Sequence, residues 1–304
     1  MSNLDTNAWF YPEGGYATHI GITGSQIDVN TNGNSLLQLH VVWNPGPIYG
    51  VGDETPTAWS LSGGTVMWNT MQMQYGTVEA KIKFTGTGTH PALWLFDVNT
   101  RAAKYNPSDY PSGDHHEIDI AECLPAIQGN TTTLRFGTFG AGGGSSWEHL
   151  DVGGFTDYST NFHVYKVVWN STSVTFYVDG VQQYQTTTNV PTHPMYLVMD
   201  IECGDAGAGA VSQSNFPGVG QVYQVDYVKA WDINNNLIFY DEFNEFAVIV
   251  ARNTVTFNNP GNSQILPSAG NPIATTGTVA SNTATVHGDL NTNIGTHVII
   301  DNPA

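Results

Sequence analysis

Hydrophobic and polar residues alternate with a period of two along much of the chain. In TVEAKIKF (77–84), Val78, Ala80 and Ile82 fall on one side of an extended backbone and the charged residues on the other. Similar strand-like segments are LLQLHVVW (36–43), HPALWLF (90–96), HEIDIAE (116–122), HVYKVVW (163–169), SVTFYVDG (173–180), PMYLVMDIE (194–202) and VYQVDYVKAWD (222–232). No segment sustains a helical period. The sequence therefore predicts an all-β fold, a sandwich of two antiparallel sheets.

Turn residues separate these segments. The pair Asp179-Gly180 predicts a hairpin, and the run Asn234–Asn236 predicts a second one between VDYVKAWD and LIFYDEF. After about residue 246 the composition shifts to Thr, Asn, Gly and small apolar residues. We therefore predict a main domain over residues 1–246 and an appended β segment or arm over residues 247–304.

Charge and composition exclude several classes of partner. Eight Lys and Arg residues stand against 26 Asp and Glu residues, a net charge of −18, which disfavours binding to nucleic acid or to an anionic membrane. No apolar run approaches the roughly 20 residues that span a bilayer. The start of the chain, MSNLDTNAWF, has no basic and apolar leader, so we expect a secreted protein whose signal has been removed or replaced. Cys123 and Cys203 either pair across neighbouring strands or remain two buried thiols.

The segment HEIDIAE carries the candidate chemistry. Alternation places Glu117 and Asp119 on one face of a strand, and a β-bulge near Ile120 and Ala121 would bring Glu122 to the same face. Two converging carboxyl groups are what a retaining glycosidase needs as its nucleophile and its acid/base. The third carboxylate, Asp119, could orient Glu117 and raise the pKa of Glu122.

Two other interpretations of the three acids are a solvated strand face and a calcium site. The flanking sequence favours catalysis, because Ile118, Ile120 and Ala121 are apolar and suit a core. In addition, an aromatic strand and a long polar loop (97–114) precede the segment, and a solvated face needs neither.

At this point the sequence resembles glycoside hydrolase family 16, whose hallmark is E-[I/L/V]-D-x-x-E on a bulged strand. The resemblance covers about residues 4–232 and is carried by MQMQYGTVEAKIKFTGTGTHPALWLFD, HEIDIAE, NFHVYKVVWNSTSVTFYVDGVQQYQ, PMYLVMDIECG and QVDYVKAWD. It implies a β-jelly-roll with a concave substrate cleft, and retaining cleavage of β-glucans or β-galactans without a catalytic cofactor. It also implies that Glu117 is the nucleophile, Asp119 the helper and Glu122 the acid/base. The spacing ExDxxE resembles the laminarinase, agarase and carrageenase branches.

The chain departs from the family pattern at several positions. His90 stands where the family usually has Trp, Thr77 stands where it has Arg, and LRFGTFGAGG (134–143) lacks a histidine that the family often carries. The family's usual first strand, FxDEFN, is missing from the start, but FYDEFN occurs at 239–244. We therefore predict a circular permutation, in which residues 237–244 pair with 222–231 at the edge of the sandwich. The resemblance further implies a structural calcium, which points to Asp226 and Glu242.

Aromatic residues are candidates for sugar binding, since sugars stack their apolar faces on aromatic rings. Trp94 alternates out of phase with Leu93 and Leu95 and could reach the cleft. Trp59 and Trp147 are further candidates, although most tryptophans are core residues. His116 directly precedes the carboxylate motif and could shape the rim of the cleft.

The sequence thus predicts a retaining endo-β-glycosidase whose partner is a polysaccharide, with β-1,3- or mixed β-1,3/1,4-glucan favoured. The alternatives are a hydrolase of agarose- or carrageenan-type β-galactans, a transglycosylase, a glycan-binding protein without turnover, and a surface spike assembled by its tail. The intact trio of carboxylates favours an enzyme. The scarcity of basic residues disfavours sulfated galactans, although Arg101 and Lys104 lie in the loop before the motif.

Overall fold

The structure is a computed structural model, and it describes most of the main domain and parts of the tail. The described residues are 4–11, 14–17, 20–22, 26–30, 33–48, 57–69, 71–86, 89–97, 116–124, 132–140, 144–151, 157–202, 222–244, 248–249, 253–256, 283–288 and 298–300. This part of the chain contains β-strands and no α-helix, and every segment predicted above as a strand is one. The prediction of an all-β fold is confirmed.

Two large sheets form the main domain, and their strands are numbered in chain order. Sheet 1 has seven strands in the order β1 (Trp9–Phe10), β7 (Thr65–Trp68), β16 (Tyr196–Glu202), β9 (His90–Phe96), β10 (Glu117–Glu122), β11 (Thr133–Gly140) and β12 (Gly144–Asp151). Every neighbouring pair in sheet 1 is antiparallel.

Sheet 2 is larger and more irregular. Its main path is β15 (Val181–Thr186), β14 (Val174–Val178), β13 (His163–Trp169), β8 (Gly76–Lys83), β17 (Val222–Trp231), β5 (Leu37–Ile48), β6 (Thr57–Gly63), β3 (Ile20–Ile22) and β2 (Gly14–Ala17). Three short strands join this path, namely β4 (Ile27–Val29) beside β5, β18 (Leu237–Asp241) beside β17, and β19 (Val248–Ile249) beside β18. The pairs are antiparallel except that of β3 with β6.

The tail contains a third sheet of three antiparallel strands, β20 (Asn253–Thr256), β21 (Thr283–Gly288) and β22 (Val298–Ile300). These strands lie inside the predicted appended segment 247–304. The predicted boundary after residue 246 remains a prediction, and β19, just beyond it, still pairs with β18 of the main domain.

The hydrophobic core lies between sheets 1 and 2, and alternation along the strands fills it. In β8, Val78, Ala80 and Ile82 are fully buried while the charged residues between them are partly exposed. Leu93 and Leu95 contribute from sheet 1 to the same cluster. The largest fully buried side chains are Trp9, Trp68, Trp169, Tyr158, Tyr165, Tyr223, Phe84, Phe136, Phe176, Phe239 and Phe243.

Both predicted hairpins are present. Asp179 and Gly180 adopt positive φ values of 49° and 79°, as a tight turn between β14 and β15 requires. Asn235, with φ of 61°, turns the chain from β17 into β18. Asparagine tolerates this left-handed conformation better than most residues, which explains the Asn-rich turn.

The hairpin of β17 and β18 forms the ladder that the permutation predicts. Ala230 pairs with Phe239 and Val228 with Asp241. Phe239, Asp241 and Phe243 are all buried. The predicted position at the edge is wrong in one respect, because the two-residue strand β19 flanks β18 on its outer side.

The start of the chain lies against this hairpin. The indole Nε1 of Trp9 donates a hydrogen bond of 2.7 Å to Asp241 Oδ2, and its ring meets that of Phe239 edge-on at 5.4 Å between centroids. Asn30 Nδ2 donates to the carbonyl oxygen of Asn244 at 3.0 Å. The two ends of the main domain are therefore neighbours, as the permuted chain order predicts.

The buried carboxyl of Asp241 makes stability depend on pH. Burial raises its pKa from 3.8 to about 7, although the hydrogen bonds from Trp9 and the Phe243 amide oppose the rise. The folded pKa exceeds the unfolded one, so this carboxyl's contribution to stability is complete below pH 3.8 and is lost as the pH rises toward about 7. We expect Asp241→Asn to gain about 2 kcal/mol relative to wild type between pH 5.5 and pH 8.

Urea unfolding of both proteins at the two pH values measures this change. The asparagine loses one hydrogen bond, because its amide group cannot accept from both donors, and that cost is the same at every pH. A free-energy difference between the two proteins that does not change with pH would contradict the interpretation.

Cys123 is a buried free thiol, and burial raises its pKa to about 12. Cys203 lies outside the described residues. In the part of the chain that the structure covers, no helix has the length and apolar character needed to cross a membrane.

Candidate active site

Strand β10 carries the bulge that the sequence predicts. On the β9 side, Asp119 pairs with Trp94, but Ala121 already pairs with Leu93. On the β11 side, the two residues between Asp119 and Glu122 oppose a single residue between their partners, Gly137 and Arg135. One extra residue is thus inserted, and the side-chain alternation changes phase after it.

The bulge separates the apolar residues of β10 from its acids. Ile118, Ile120 and Ala121 are fully buried in the core between the sheets. Cross-strand partners share a face, and the partners of the three acids in β9 are Phe96, Trp94 and Ala92, which belong to a second apolar cluster. Glu117, Asp119 and Glu122 therefore lie together on the face of sheet 1 that points away from the main core.

Trp94 is placed as predicted, opposite in direction to Leu93 and Leu95. Its ring lies 4.9 Å from that of Phe96, and the second apolar cluster, which also contains Met67, Ala92 and Val198, surrounds it. Trp94 is 7% exposed, so little of its ring is accessible from this face. Its role in substrate binding stays a prediction.

Glu117 and Asp119 affect each other's ionisation. The interaction between their carboxyl groups lowers the pKa of Glu117 and raises that of Asp119, so it favours a proton on Asp119. Burial, followed by the charge of Glu122, raises the pKa of Glu117 to about 7. Burial and the charges of Glu117 and Glu122 raise the pKa of Asp119 well above its usual range. Gly137 faces Asp119 across the ladder, and Asp119 Oδ2 has no hydrogen-bond partner among the described residues.

Glu122 is bound by two basic side chains. Arg135 donates from Nε to Oε2 at 2.7 Å and from Nη2 to Oε1 at 2.9 Å, and His90 Nε2 lies 2.9 Å from Oε1. Burial alone would raise the pKa of Glu122, but the hydrogen bonds and charges of His90 and Arg135 outweigh it, and the pKa falls below its usual range.

The expectation that Asp119 raises the pKa of Glu122 is therefore wrong for this structure. Repulsion between the acids raises the pKa values of Glu117 and Asp119, but it does not raise that of Glu122. The pKa of Glu122 is lowered because it is hydrogen-bonded to His90 and to Arg135. Sequence reasoning noticed His90 only as a departure from the family and missed Arg135. The available signal was the position of Arg135 in the strand that follows the motif, where it pairs directly with Glu122.

His116 does not lie at the rim of the cleft. Its side chain is fully buried, its Nδ1 accepts a hydrogen bond of 3.0 Å from the Thr192 amide, and its ring stacks on His193 at 3.8 Å. Alternation explains the error, because His116 precedes Glu117 and so points to the other side of the sheet. A side chain without exposed surface does not fit the predicted contact with substrate.

Two further aromatic candidates are only partly described. Trp147 pairs with Gly137, the partner of Asp119, so its backbone lies two strands from the carboxylates. Trp59 pairs with Gly46 in sheet 2. The side chains of both tryptophans, together with Arg101 and Lys104, lie outside the described set.

The predicted calcium ligands are engaged with other groups. Asp226 Oδ2 forms an ion pair of 2.5 Å with Lys81 Nζ, and Glu242 accepts hydrogen bonds from Tyr240 and Asn244. No group of three or more His, Cys, Asp or Glu side chains suited to a metal occurs among the residues described. A lysine and two hydrogen-bond donors do not fit a cation, so these side chains do not form a calcium site as they stand. Calcium remains a prediction.

The two-sheet fold and the three carboxylates on a bulged strand are the arrangement that the resemblance to glycoside hydrolase family 16 implies. The family model described as "Glycosyl hydrolases family 16" matches residues 20–229, and the chain belongs to that family. The resemblance inferred from the motifs is confirmed.

Curated relatives and solved structures agree with this assignment. The chain is 25% identical over 254 residues to glucan endo-1,3-beta-glucosidase A1 of Niallia circulans, covering 76% of this chain and 36% of that protein. It is 29% identical over 182 residues to keratan-sulfate endo-1,4-beta-galactosidase of Sphingobacterium multivorum, covering 57% of this chain and 40% of that protein. The chain thus spans about two fifths of the length of these relatives.

Among solved structures, porphyranase B from Zobellia galactanivorans matches with a TM-score of 0.60 and 22% identity, over 76% of this chain and 87% of that one. The laminarinase catalytic domain from Thermotoga maritima matches with a TM-score of 0.58 and 21% identity, over 76% of this chain and 94% of that one. These likenesses show the fold, and the predicted jelly-roll is confirmed.

Proposed function

We propose that the chain is a retaining endo-β-glycosidase that hydrolyses β-1,3- or mixed β-1,3/1,4-glucan. The observation that carries the proposal is the placement of Glu117, Asp119 and Glu122 on one face of the bulged strand β10 in a member of this hydrolase family. A retaining enzyme needs two carboxyl groups that reach the same glycosidic bond, and a shared strand face supplies them.

In the proposed mechanism Glu117 attacks the anomeric carbon and forms a glycosyl ester. At the same time Glu122 gives its proton to the oxygen of the departing sugar. Glu122, now ionised, then takes a proton from a water molecule, which attacks the ester and releases Glu117. The interaction with Asp119 lowers the pKa of Glu117 and so helps Glu117 to be ionised when it attacks.

A neutral glycan is favoured over a sulfated galactan by the charge of the cleft face. Three of its side chains are acids, and Arg135, the cation next to them, is already engaged by Glu122. A glucanase from Niallia circulans and several bacterial beta-glucanases are among the relatives. The second candidate, a β-galactan hydrolase, is supported by the keratan-sulfate endo-galactosidase relative.

A substrate panel tests the proposal. Laminarin, lichenan, agarose and carrageenan should be incubated with the protein and the products sized. We expect oligosaccharides from laminarin or lichenan. Products from agarose or carrageenan alone would select the galactan alternative, and no product from any of the four would reject the proposed substrate range.

We also expect the first products to have the β configuration. The physical reason is that two successive displacements at the anomeric carbon, first by Glu117 and then by water, each invert its configuration and together restore it. Proton NMR of a fresh digest, recorded before mutarotation, measures the anomer. An initial excess of the α-anomer would overturn the retaining mechanism.

A further inference from the structure

The carboxylate of Glu122 is held by three hydrogen bonds from two neighbouring strands. Arg135 on β11 binds both of its oxygens in a two-pronged arrangement, and His90 on β9 adds a bond to Oε1. The side chains of Glu122, His90 and Arg135 are 6%, 15% and 21% exposed, so water competes little for these contacts. We call Arg135 and His90 the Glu122 clamp.

The clamp fits an ionised carboxylate and not a carboxylic acid. Arginine carries only donors and keeps its charge throughout the accessible pH range. A proton on Oε2 would point at Arg135 Nε and break that hydrogen bond, and a proton on Oε1 would displace Arg135 Nη2 or require His90 Nε2 to accept instead of donate. Charge-assisted pairs of this two-pronged kind are among the strongest hydrogen bonds in proteins, particularly where the surroundings are dry.

Acids also face Glu122, and they act in the opposite direction. Glu117 and Asp119 lie on its own strand. Asp200 on β16 is buried and pairs with Ala92, the β9 partner of Glu122. Repulsion from these acids would favour a proton on Glu122, and the clamp outweighs that repulsion.

The free protein therefore holds its protons in an arrangement opposite to the one that the first chemical step needs. The step requires an ionised Glu117 and a protonated Glu122, but the pKa values of Glu117 and Asp119 are raised and that of Glu122 is lowered, which favours the reverse. The count balances, because one proton leaving the Glu117–Asp119 pair and one proton arriving on Glu122 convert one arrangement into the other.

We propose that Arg135 and His90 are positioning residues that keep Glu122 ionised in the free enzyme, so that the reacting form, with a proton on Glu122, is the minor one. This inference rests on the proposed function for its catalytic meaning. The protonation state of Glu122 itself can be measured without any substrate. The competing explanation is that the clamp has a structural role only and stabilises the packing of β9, β10 and β11 through its hydrogen bonds.

The two explanations differ in the pH dependence that they predict. A plot of kcat/KM against pH has an acid limb, where the rate rises, and an alkaline limb, where it falls. The two limbs report the macroscopic ionisations of the two catalytic carboxyl groups even when the reacting form is the minor one. The acid limb then belongs to Glu122 and the alkaline limb, near pH 7, to Glu117. Removing the clamp should raise the acid limb, because Glu122 loses its neighbouring positive charge.

The decisive variant is Arg135→Met, which keeps an unbranched side chain and removes the charge. We expect its acid limb to move up by about one pH unit or more, as the loss of an adjacent opposite charge implies. His90→Gln, which retains a donor, should shift the limb less and in the same direction. Lys166→Met is the matched control, since it removes the same charge from the outer face of sheet 2 and should leave both limbs in place.

A second measurement follows Glu122 directly. Protein labelled with ¹³C at the glutamate carboxyl groups is titrated by NMR, and Glu122→Gln identifies the resonance. We expect the wild-type carboxyl to stay ionised down to pH 4.5, its ordinary pKa, and the Arg135→Met carboxyl to titrate above that value.

Each outcome decides the matter. An acid limb and a Glu122 resonance that titrate alike in wild type, Arg135→Met and His90→Gln would overturn the proposal, even if melting temperatures fall. If Arg135→Met does not fold, His90→Gln carries the same test. A third outcome is a wild-type protein that cleaves no glucan but whose Glu122 resonance still titrates differently from that of Arg135→Met. That result would support the role of the clamp and reject the proposed function.

Discussion

Glu117→Ser is expected to lower kcat by at least about a thousandfold on any substrate that the wild type cleaves. Without this carboxylate no glycosyl ester forms, and serine has no neighbouring base that would activate its hydroxyl group. The fold should survive, because Glu117 is held in sheet 1 through backbone pairing with Phe96 and Phe139. Loss of a carboxyl with a raised pKa also removes repulsion from Glu122.

Initial rates of reducing-sugar release, with thermal melting measured in parallel, check this expectation. Glu79→Ser is the matched control, because it removes a glutamate from a strand of the same fold but on the outer face of sheet 2. The control should retain wild-type activity. A Glu117→Ser protein with a tenth of the wild-type rate would show that the nucleophile has been wrongly assigned.

Deletion of residues 237–304 is expected to unfold the main domain, whereas deletion of residues 250–304 should leave it folded and active. The longer deletion removes Phe239 and Phe243, which are fully buried, and Asp241, the hydrogen-bond partner of Trp9. Each buried aromatic side chain contributes about 1.5–3 kcal/mol, and a typical domain has only about 5–15 kcal/mol of stability in total. The exposed edge of β17 adds unpaired backbone groups to this loss.

The shorter deletion keeps β18 and its two-residue neighbour β19, and removes the strands of the third sheet. Circular dichroism melting and activity on laminarin distinguish the two proteins. A cooperative, active protein that ends at residue 236 would show that β18 is dispensable. An unfolded protein that ends at residue 249 would show that the tail belongs to the main domain.

The sequence predicted those features of the active site that depend on one strand. Alternation and a single inserted residue were enough to place Glu117, Asp119 and Glu122 on one face, and the observed register shift lies where the bulge was predicted. The hairpin into β18 was equally predictable, because its turn residues and its alternation are local. Both predictions used only the two-residue period of a strand.

The proton distribution could not be predicted in this way. It depends on which side chains of β9 and β11 lie beside which acid, and these registers are fixed by chain segments far from the motif. Arg135 follows the motif after a connecting segment, so its pairing with Glu122 is a property of the sheet. His116 is a different case, because its nearness in sequence to Glu117 suggested the cleft although alternation, a local property, already directed it into the interior.

The contact between Trp9 and Asp241 joins residues that are 232 positions apart in the chain. Ribosomes add residues from the N-terminus, so the first strand is made long before the hairpin that completes its surroundings. Trp9 and the edge of β17 therefore stay without their partners until β18 has been synthesised. Contacts of such long range slow folding, and an unpaired strand edge invites pairing with another chain. We expect refolding from denaturant to be slow and to lose more protein to aggregation as its concentration rises.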